Sequence, residues 1–125
     1  MIVNKSYRSL VLILVRSRTI WKTGKKKREE HLNLMRQDGP RITIASVIFD
    51  EGIDCKPLDT LILAGGGKSP TRALQRIGRI LRKFEGKEDA IAVDFMDNCK
   101  YLQAHSKKRE KIYRSEDEFI IKRQK

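Results

Sequence analysis

Four apolar runs, at residues 10–15, 42–45, 61–64 and 90–95, punctuate this chain of 125 residues. Their hydrophobicity is continuous rather than alternating, which is the pattern of strands buried on both faces of a parallel sheet. Between the runs lie stretches of helical period. Residues 25–38 carry Leu32, Met35 and His31 on one side and end at Gly39-Pro40, a pair that stops a helix. Ser69-Pro70 is a helix start, a capping hydroxyl followed by a ring already set at helical φ. Asp97 or Asn98 can cap a third helix running through Tyr101, Leu102 and His105 toward Tyr113, and a last short strand is expected at 119–121. Strands alternating with helices imply an α/β layered domain, its ligands gathered at the carboxyl ends of the strands. The length suits one such domain and is too short for two mononucleotide-binding lobes. It divides into a leading strand and linker over 1–24, a core over 25–97, and a C-terminal helix with a basic tail over 98–125.

Lys and Arg number 28 against 16 Asp and Glu, a formal net charge of +12. Such an excess favours polyanionic partners through counterion release, but ribosomal, chromatin and membrane-surface proteins share it, so motifs must decide. The dense segments 22–28 and 107–125 read equally as solvated surface and frayed tail or as phosphate-binding runs. Cys55 and Cys99 have no companion at zinc-ligand spacing, which argues against a structural metal and against a disulfide framework. The run at 10–15 is closed by Arg16 and is too short to span a membrane. A soluble, cytoplasmic chain with no membrane partner is expected.

Two segments imitate nucleotide-binding motifs. Gly65-Gly66-Gly67-Lys68-Ser69 follows a strand and precedes a helix, as a phosphate-cradling P-loop does. That motif needs a further Gly five positions before the Gly of Gly-Lys-Ser, where this chain has Ile62 inside a strand. Asp50-Glu51 ends an apolar run like a magnesium-holding element, but it precedes the glycines instead of following them.

The helix after Pro70 is more informative. At about 100° per residue, and with Arg72 set to zero, Ala73, Leu74, Ile77, Ile80 and Leu81 fall between roughly 80° and 200°, an apolar docking face. Arg72, Gln75, Arg79 and Arg82 fall within roughly 280° to 360°, on the opposite side. Between Cys55 and Phe84 the only acidic residue is Asp59, so the stripe has no counter-charge at helical i,i+4 spacing. Guanidinium groups held by a rigid helix without acidic neighbours suit phosphate, to which Arg offers a planar fork of donors.

These residues also resemble a family pattern. Gln75-Arg76-Ile77-Gly78-Arg79-Ile80-Leu81-Arg82 resembles motif VI of superfamily 2 helicases, and the stretch from Ala45 to Asp54, with Asp50-Glu51-Gly52-Ile53-Asp54 at its end, resembles their motif V. Order and separation fit, with one strand between the motifs. The run 63–69 looks like a linker of bacterial and phage members near the restriction-translocase and DNA-repair branch. The resemblance implies a RecA-like second helicase lobe acting on nucleic acid, DNA favoured over RNA with both left open, with ATP and Mg bound jointly with an N-terminal lobe in cis or trans. By position, Arg79 and Arg82 would be arginine fingers toward the γ-phosphate. Gln75 would sit beside them at the nucleotide, Asp54 would contact the ribose or organise the fingers, and Gly52 would let the backbone turn sharply between strand and nucleotide. Ser46, Lys68, Ser69 and Arg72 would lie along the nucleic acid.

The departures carry expectations of their own. Neither a P-loop nor a magnesium-binding acidic motif precedes this region, so the isolated chain is expected not to hydrolyse ATP. The run 9–16 resembles the motif IV strand, yet too few residues separate it from 25–38 for the further helix and strand usual in the family. The sheet is expected to lack one helix–strand unit. A stand-alone basic nucleic-acid-binding remnant is the alternative reading.

Overall fold

The computed structural model describes residues 10–15, 24–37, 41–46, 54–65 and 67–124, with positions 10–15, 41 and 46 through the backbone alone. In chain order the elements are β1 (Leu10–Val15), α1 (Lys25–Arg36), β2 (Arg41–Ser46), β3 (Thr60–Leu63), α2 (Pro70–Ile80), β4 (Ile91–Asp94) and α3 (Lys100–Arg114). The strands form one sheet of order β2-β1-β3-β4, and every pairing is parallel. This is the α/β arrangement that the continuous apolar runs imply, a small sheet with flanking helices of RecA-like type. The expected strand at 119–121 does not form: Phe119 instead packs on the core from a turn whose backbone bonds to Glu116.

Partners across a parallel ladder share a sheet face, because side chains alternate along each strand. The register puts Ala45, Leu14, Leu63 and Asp94 in one row, with Thr43, Leu12, Leu61 and Ala92 in the next row of the same face. Leu61, Leu63 and Ala45 are buried there, in one core with Met35 of α1 and with Ala73, Ile77 and Ile80 of α2. The other face presents Ile42 and Ile44 of the edge strand, 72% and 70% exposed, with Ile62, Ile91 and Val93 half-buried in line with them. Among the described residues, the edge strand thus departs from the two-sided burial read from the continuous runs.

Helix α1 illustrates packing overriding local preference. Its cap Gly24 makes no side-chain bond, and its first turn holds only basic residues, which the positive end of a helix dipole disfavours. Met35 is its one buried residue, with Leu32 beside the core. The buried Cys55 thiol also donates to the Met35 carbonyl at 3.1 Å. His31, expected on the inner side, is exposed. The expected stop at Gly39-Pro40 lies outside the described residues, although the helix ends just before it.

Candidate functional site

Helix α2 starts as its sequence dictates. Ser69 is the N-cap, its hydroxyl accepting from the Arg72 amide at 3.3 Å, and Pro70 occupies the first turn. Ala73, Ile77 and Ile80 are buried against β3, each isoleucine contributing roughly 1.5–3 kcal/mol by leaving water. Leu74 is half-buried, but Leu81 is 47% exposed, because the helix ends at Ile80 and Leu81 is its C-cap. Arg76, assigned to neither side by the angular reading, is buried. Arg72 and Gln75 are exposed and Arg79 is half-buried.

Arg82 departs from the expected stripe. It lies past the C-cap, so the turn that ends the helix presents it, not the helix face. Its guanidinium also has a counter-charge that helical spacing could not disclose: Nη1 donates to Asp54 Oδ1, 28 residues away. Arg82 and Asp54 are 45% and 54% exposed, so the pair stands in solvent. Two residues implied by different motifs are thereby brought into contact. Arg36 Nε reaches the Asp54 carbonyl at 3.2 Å, tying the end of α1 to the same point.

The connectivity separates the remaining candidates. Ser46 closes β2 at the carboxyl edge of the sheet, and the loop with exposed Lys68 and the cap Ser69 follows β3 at that edge, with Arg72 in the first turn of α2. The helix then runs back, so Arg79 and Arg82 lie near the opposite edge, where the Ile91 amide donates to the Asp59 carbonyl at 2.8 Å just ahead of β3. Seven residues of helix, about 10 Å of rise, separate Arg72 from Arg79. The stripe is thus two groups, one at each end of α2. Gly52 lies outside the described residues, as do Asp50-Glu51 and Gly66, and of Ser46 only the backbone is described.

At the carboxyl edge the structure adds residues that the sequence did not single out. Arg109 of α3 is 1% exposed. Its Nε and Nη2 grip Asp94 at the end of β4 at 2.7 and 3.1 Å. Its Nη1 donates to the Gly67 carbonyl at 3.0 Å, while Nη2 also meets the Phe95 carbonyl at 3.2 Å. Gly67 takes φ +67°, a left-handed turn that any Cβ would strain, so the glycine loop is bent here and pinned by one guanidinium. Tyr113 donates to Asp94 Oδ2, the oxygen that Arg109 Nε also holds, at 2.9 Å. Burial opposes the charge on Arg109, but the bonds and charge of Asp94 more than offset it and hold the group above its ordinary pKa. Burial, then the Asp94 charge, pushes the Tyr113 phenol far above its usual range.

This network replaces one expectation. Asp97 does not cap α3, since Cys99 is the N-cap and makes no side-chain bond. Instead the Asp97 carboxylate and amide both meet the Ser106 hydroxyl, at 3.0 and 3.2 Å. The helix runs through Tyr101, Leu102 and His105 to Tyr113 as expected, with Tyr101 and Leu102 exposed and Ser106 and Arg109 buried. The signal was present at i,i+3 and i,i+4 spacing: Ser106, Arg109 and Tyr113 share a face, and Asp94 is the one charge in an apolar strand.

A parallel sheet, a capped helix carrying guanidiniums, and an acidic residue brought to its far end define a helicase-type lobe, and the family comparison agrees. Residues 9–84 match the helicase conserved C-terminal domain, and the chain belongs to that family. Among its relatives, the DNA 3'-5' translocase XPB2 of Sulfurisphaera tokodaii is 44% identical over 76 residues, 61% of this chain and 17% of the relative. The ATP-dependent DNA helicase uvsW of Enterobacteria phage T4 is 41% identical over 71 residues, 54% of this chain and 14% of the relative. The mouse Fanconi anemia group M protein homolog is 34% identical over 90 residues, 70% and 4% respectively. The chain thus spans less than a fifth of the length of these relatives.

Proposed function

We propose that this lobe completes an ATP-dependent DNA translocase or helicase, with Arg79 and Arg82 as arginine fingers and the P-loop half of the nucleotide site supplied by a second lobe in cis or in trans. The observation that carries the reading is the exposed Arg82–Asp54 contact, which joins motif VI to motif V at the end of α2. A guanidinium held by a single solvent-exposed carboxylate can exchange that partner for a phosphate oxygen at small cost, because exposed pairs contribute only about 0–1 kcal/mol. ATP with Mg supplies the reacting phosphoryl group when bound. On this chain the guanidiniums of Arg79 and Arg82 and the amide of Gln75 are donors that suit phosphate oxygens, and the one described carboxylate beside them, Asp54, is paired with Arg82. Arg82 and Arg79 stabilise charge that grows on the transferred group, Gln75 lies one turn before Arg79 on α2, Asp54 orients Arg82 between turnovers, and Gly52 gives the backbone its turn toward the nucleotide.

Ser46, Lys68, Ser69 and Arg72 then lie along the DNA at the carboxyl edge, where Arg109 fixes the bend of the glycine loop. The Ser69 hydroxyl accepts from the helix and still has its hydrogen to donate to a phosphate. The test is DNA-stimulated ATP hydrolysis by this lobe combined with its P-loop lobe. Arg79→Ala and Arg82→Ala each abolish most of the rate; undiminished rates in both would remove the finger assignment. The isolated lobe is expected to be inactive.

The exposed basic run Lys25–Arg28 favours a second reading, a nucleic-acid-binding module that works without ATP. Oligonucleotide binding by the isolated lobe, falling steeply with salt and lost on neutralising the run, would support it. No binding at low salt would exclude it.

A further inference from the structure

Lys87 belongs to none of the motifs, yet its ammonium sits among four backbone carbonyls. Nζ donates to Leu58 at 2.7 Å, to Arg82 at 2.9 Å and to Ile80, with Lys56 at 3.4 Å. Three protons cannot serve four acceptors equally, and the Lys56 contact is the longest. The turn before it explains how the side chain arrives there. Gly86 has φ +78°, and the Lys87 amide closes on the Phe84 carbonyl at 3.1 Å, which folds the chain back under the end of α2.

The four carbonyls come from two segments. Ile80 and Arg82 are at the C-terminal end of α2, where carbonyls lack helical partners and a cation is favoured. Lys56 and Leu58 are in the turn that directly follows Asp54, itself closed by the Leu58 amide on the Cys55 carbonyl at 3.2 Å. One ammonium therefore bridges the segment that presents Arg82 to the segment that presents Asp54, and it grips the carbonyl of Arg82 itself. Burial pushes the ammonium below its ordinary pKa, against the charge of Asp59, as expected of a group taken from water into backbone dipoles.

We propose that Lys87 is a positioning residue, which sets the spacing between Arg82 and Asp54 and so the place from which Arg82 reaches the phosphate. This rests on the finger reading of Arg82. Lys87 touches neither reactant, so its loss lowers kcat and leaves KM for ATP largely unchanged. A displacement of the order of 1 Å at a charge-stabilising group costs up to about 100-fold.

The test uses the lobe assembled with its P-loop lobe and single-turnover ATP hydrolysis, comparing wild type, Lys87→Met, Lys87→Arg, Arg82→Ala and the Lys87→Met/Arg82→Ala double variant. Expected are a kcat loss of about 10–100-fold in Lys87→Met, KM within about twofold, partial recovery in Lys87→Arg, and a double variant no slower than Arg82→Ala. Full activity in Lys87→Met beside a crippled Arg82→Ala overturns the proposal, as does a double variant slower by the product of the two losses. A second measurement keeps the two readings apart. In the lobe alone, the Arg82 Nε–H resonance is expected to shift in Lys87→Met as it does in Asp54→Asn. If Arg82→Ala keeps full activity, the finger reading fails, and an unmoved Arg82 resonance then removes the placement by Lys87 too.

Discussion

Among the described residues, two arginine–aspartate pairs differ in nearly everything but their chemistry. Arg109 is buried against Asp94 at the carboxyl edge of the sheet, its donors shared among Asp94, two backbone carbonyls and Ser106. Arg82 meets Asp54 at the other end of α2, where both side chains are about half exposed and one guanidinium nitrogen makes the contact. The first pair can release nothing without leaving a charge in the interior. The second can open without burying a charge, since water replaces the lost partner. Burial, not pairing, separates an arginine committed to the fold from one left open to solvent.

Four measurements sharpen or break this contrast. The largest effect is expected at the exposed pair and on turnover alone. Arg82→Ala in the two-lobe assembly lowers DNA-stimulated ATP hydrolysis by about 10³-fold or more, the scale of arginine fingers in other phosphoryl-transfer enzymes. Urea melts of the same variant move by no more than about 1 kcal/mol, since an exposed pair adds little to stability. A comparable loss of stability would break the contrast.

Next comes Arg109→Met, which strands Asp94 and is expected to cost about 3–5 kcal/mol in the same melts. Adding Asp94→Leu should return part of that loss, because removing both charges leaves neither unpaired. If the double variant is worse than the single, the network contributes more than the pair. The third test is salt. Asp54→Asn changes stability by at most about 1 kcal/mol at low ionic strength and by nothing measurable at 1 M, where the screening length is about 3 Å. The cost of Arg109→Met should hardly respond to salt.

The smallest effect concerns Glu110, which bonds Arg123 and, one helical turn on, Arg114. The hydrogen bonds of Arg123, then of Arg114, hold its carboxyl below the ordinary 4.5. A depressed carboxylate adds stability above its unfolded pKa and loses it as pH falls through the folded value. Glu110→Gln should therefore destabilise slightly at neutral pH and not at all once the wild-type carboxyl is protonated. Both arginines are more than half exposed, so the difference is a small fraction of that at Arg109.

What could be read in advance follows the range of the physics involved. The strands at 10–15 and 42–45, the start of α2 at Ser69-Pro70, and the split of Ala73, Ile77 and Ile80 from Arg72 and Gln75 depend on spacing within a few residues. Those features emerged as expected. The angular reading failed at Arg82 because nothing in the local pattern announces that α2 stops at Ile80. It missed Asp54 as a counter-charge because the partner is 28 residues away. Arg109 looked like one more cation in a basic tail, since its burial depends on Asp94 and Gly67 arriving from other elements.

The open sheet face makes the same point in reverse. Continuous hydrophobicity at 42–45 is compatible with two covered faces, but β2 is an edge strand, and Ile42 and Ile44 remain exposed. Periodicity determined the parallel α/β class and the helix that carries Gln75 and Arg79, because backbone propensity and side-chain spacing act locally. Tertiary structure decided which cations are buried in the fold and which stay at the surface, because the free energy of a charge is set by its distance to groups and to water that only the folded chain assembles.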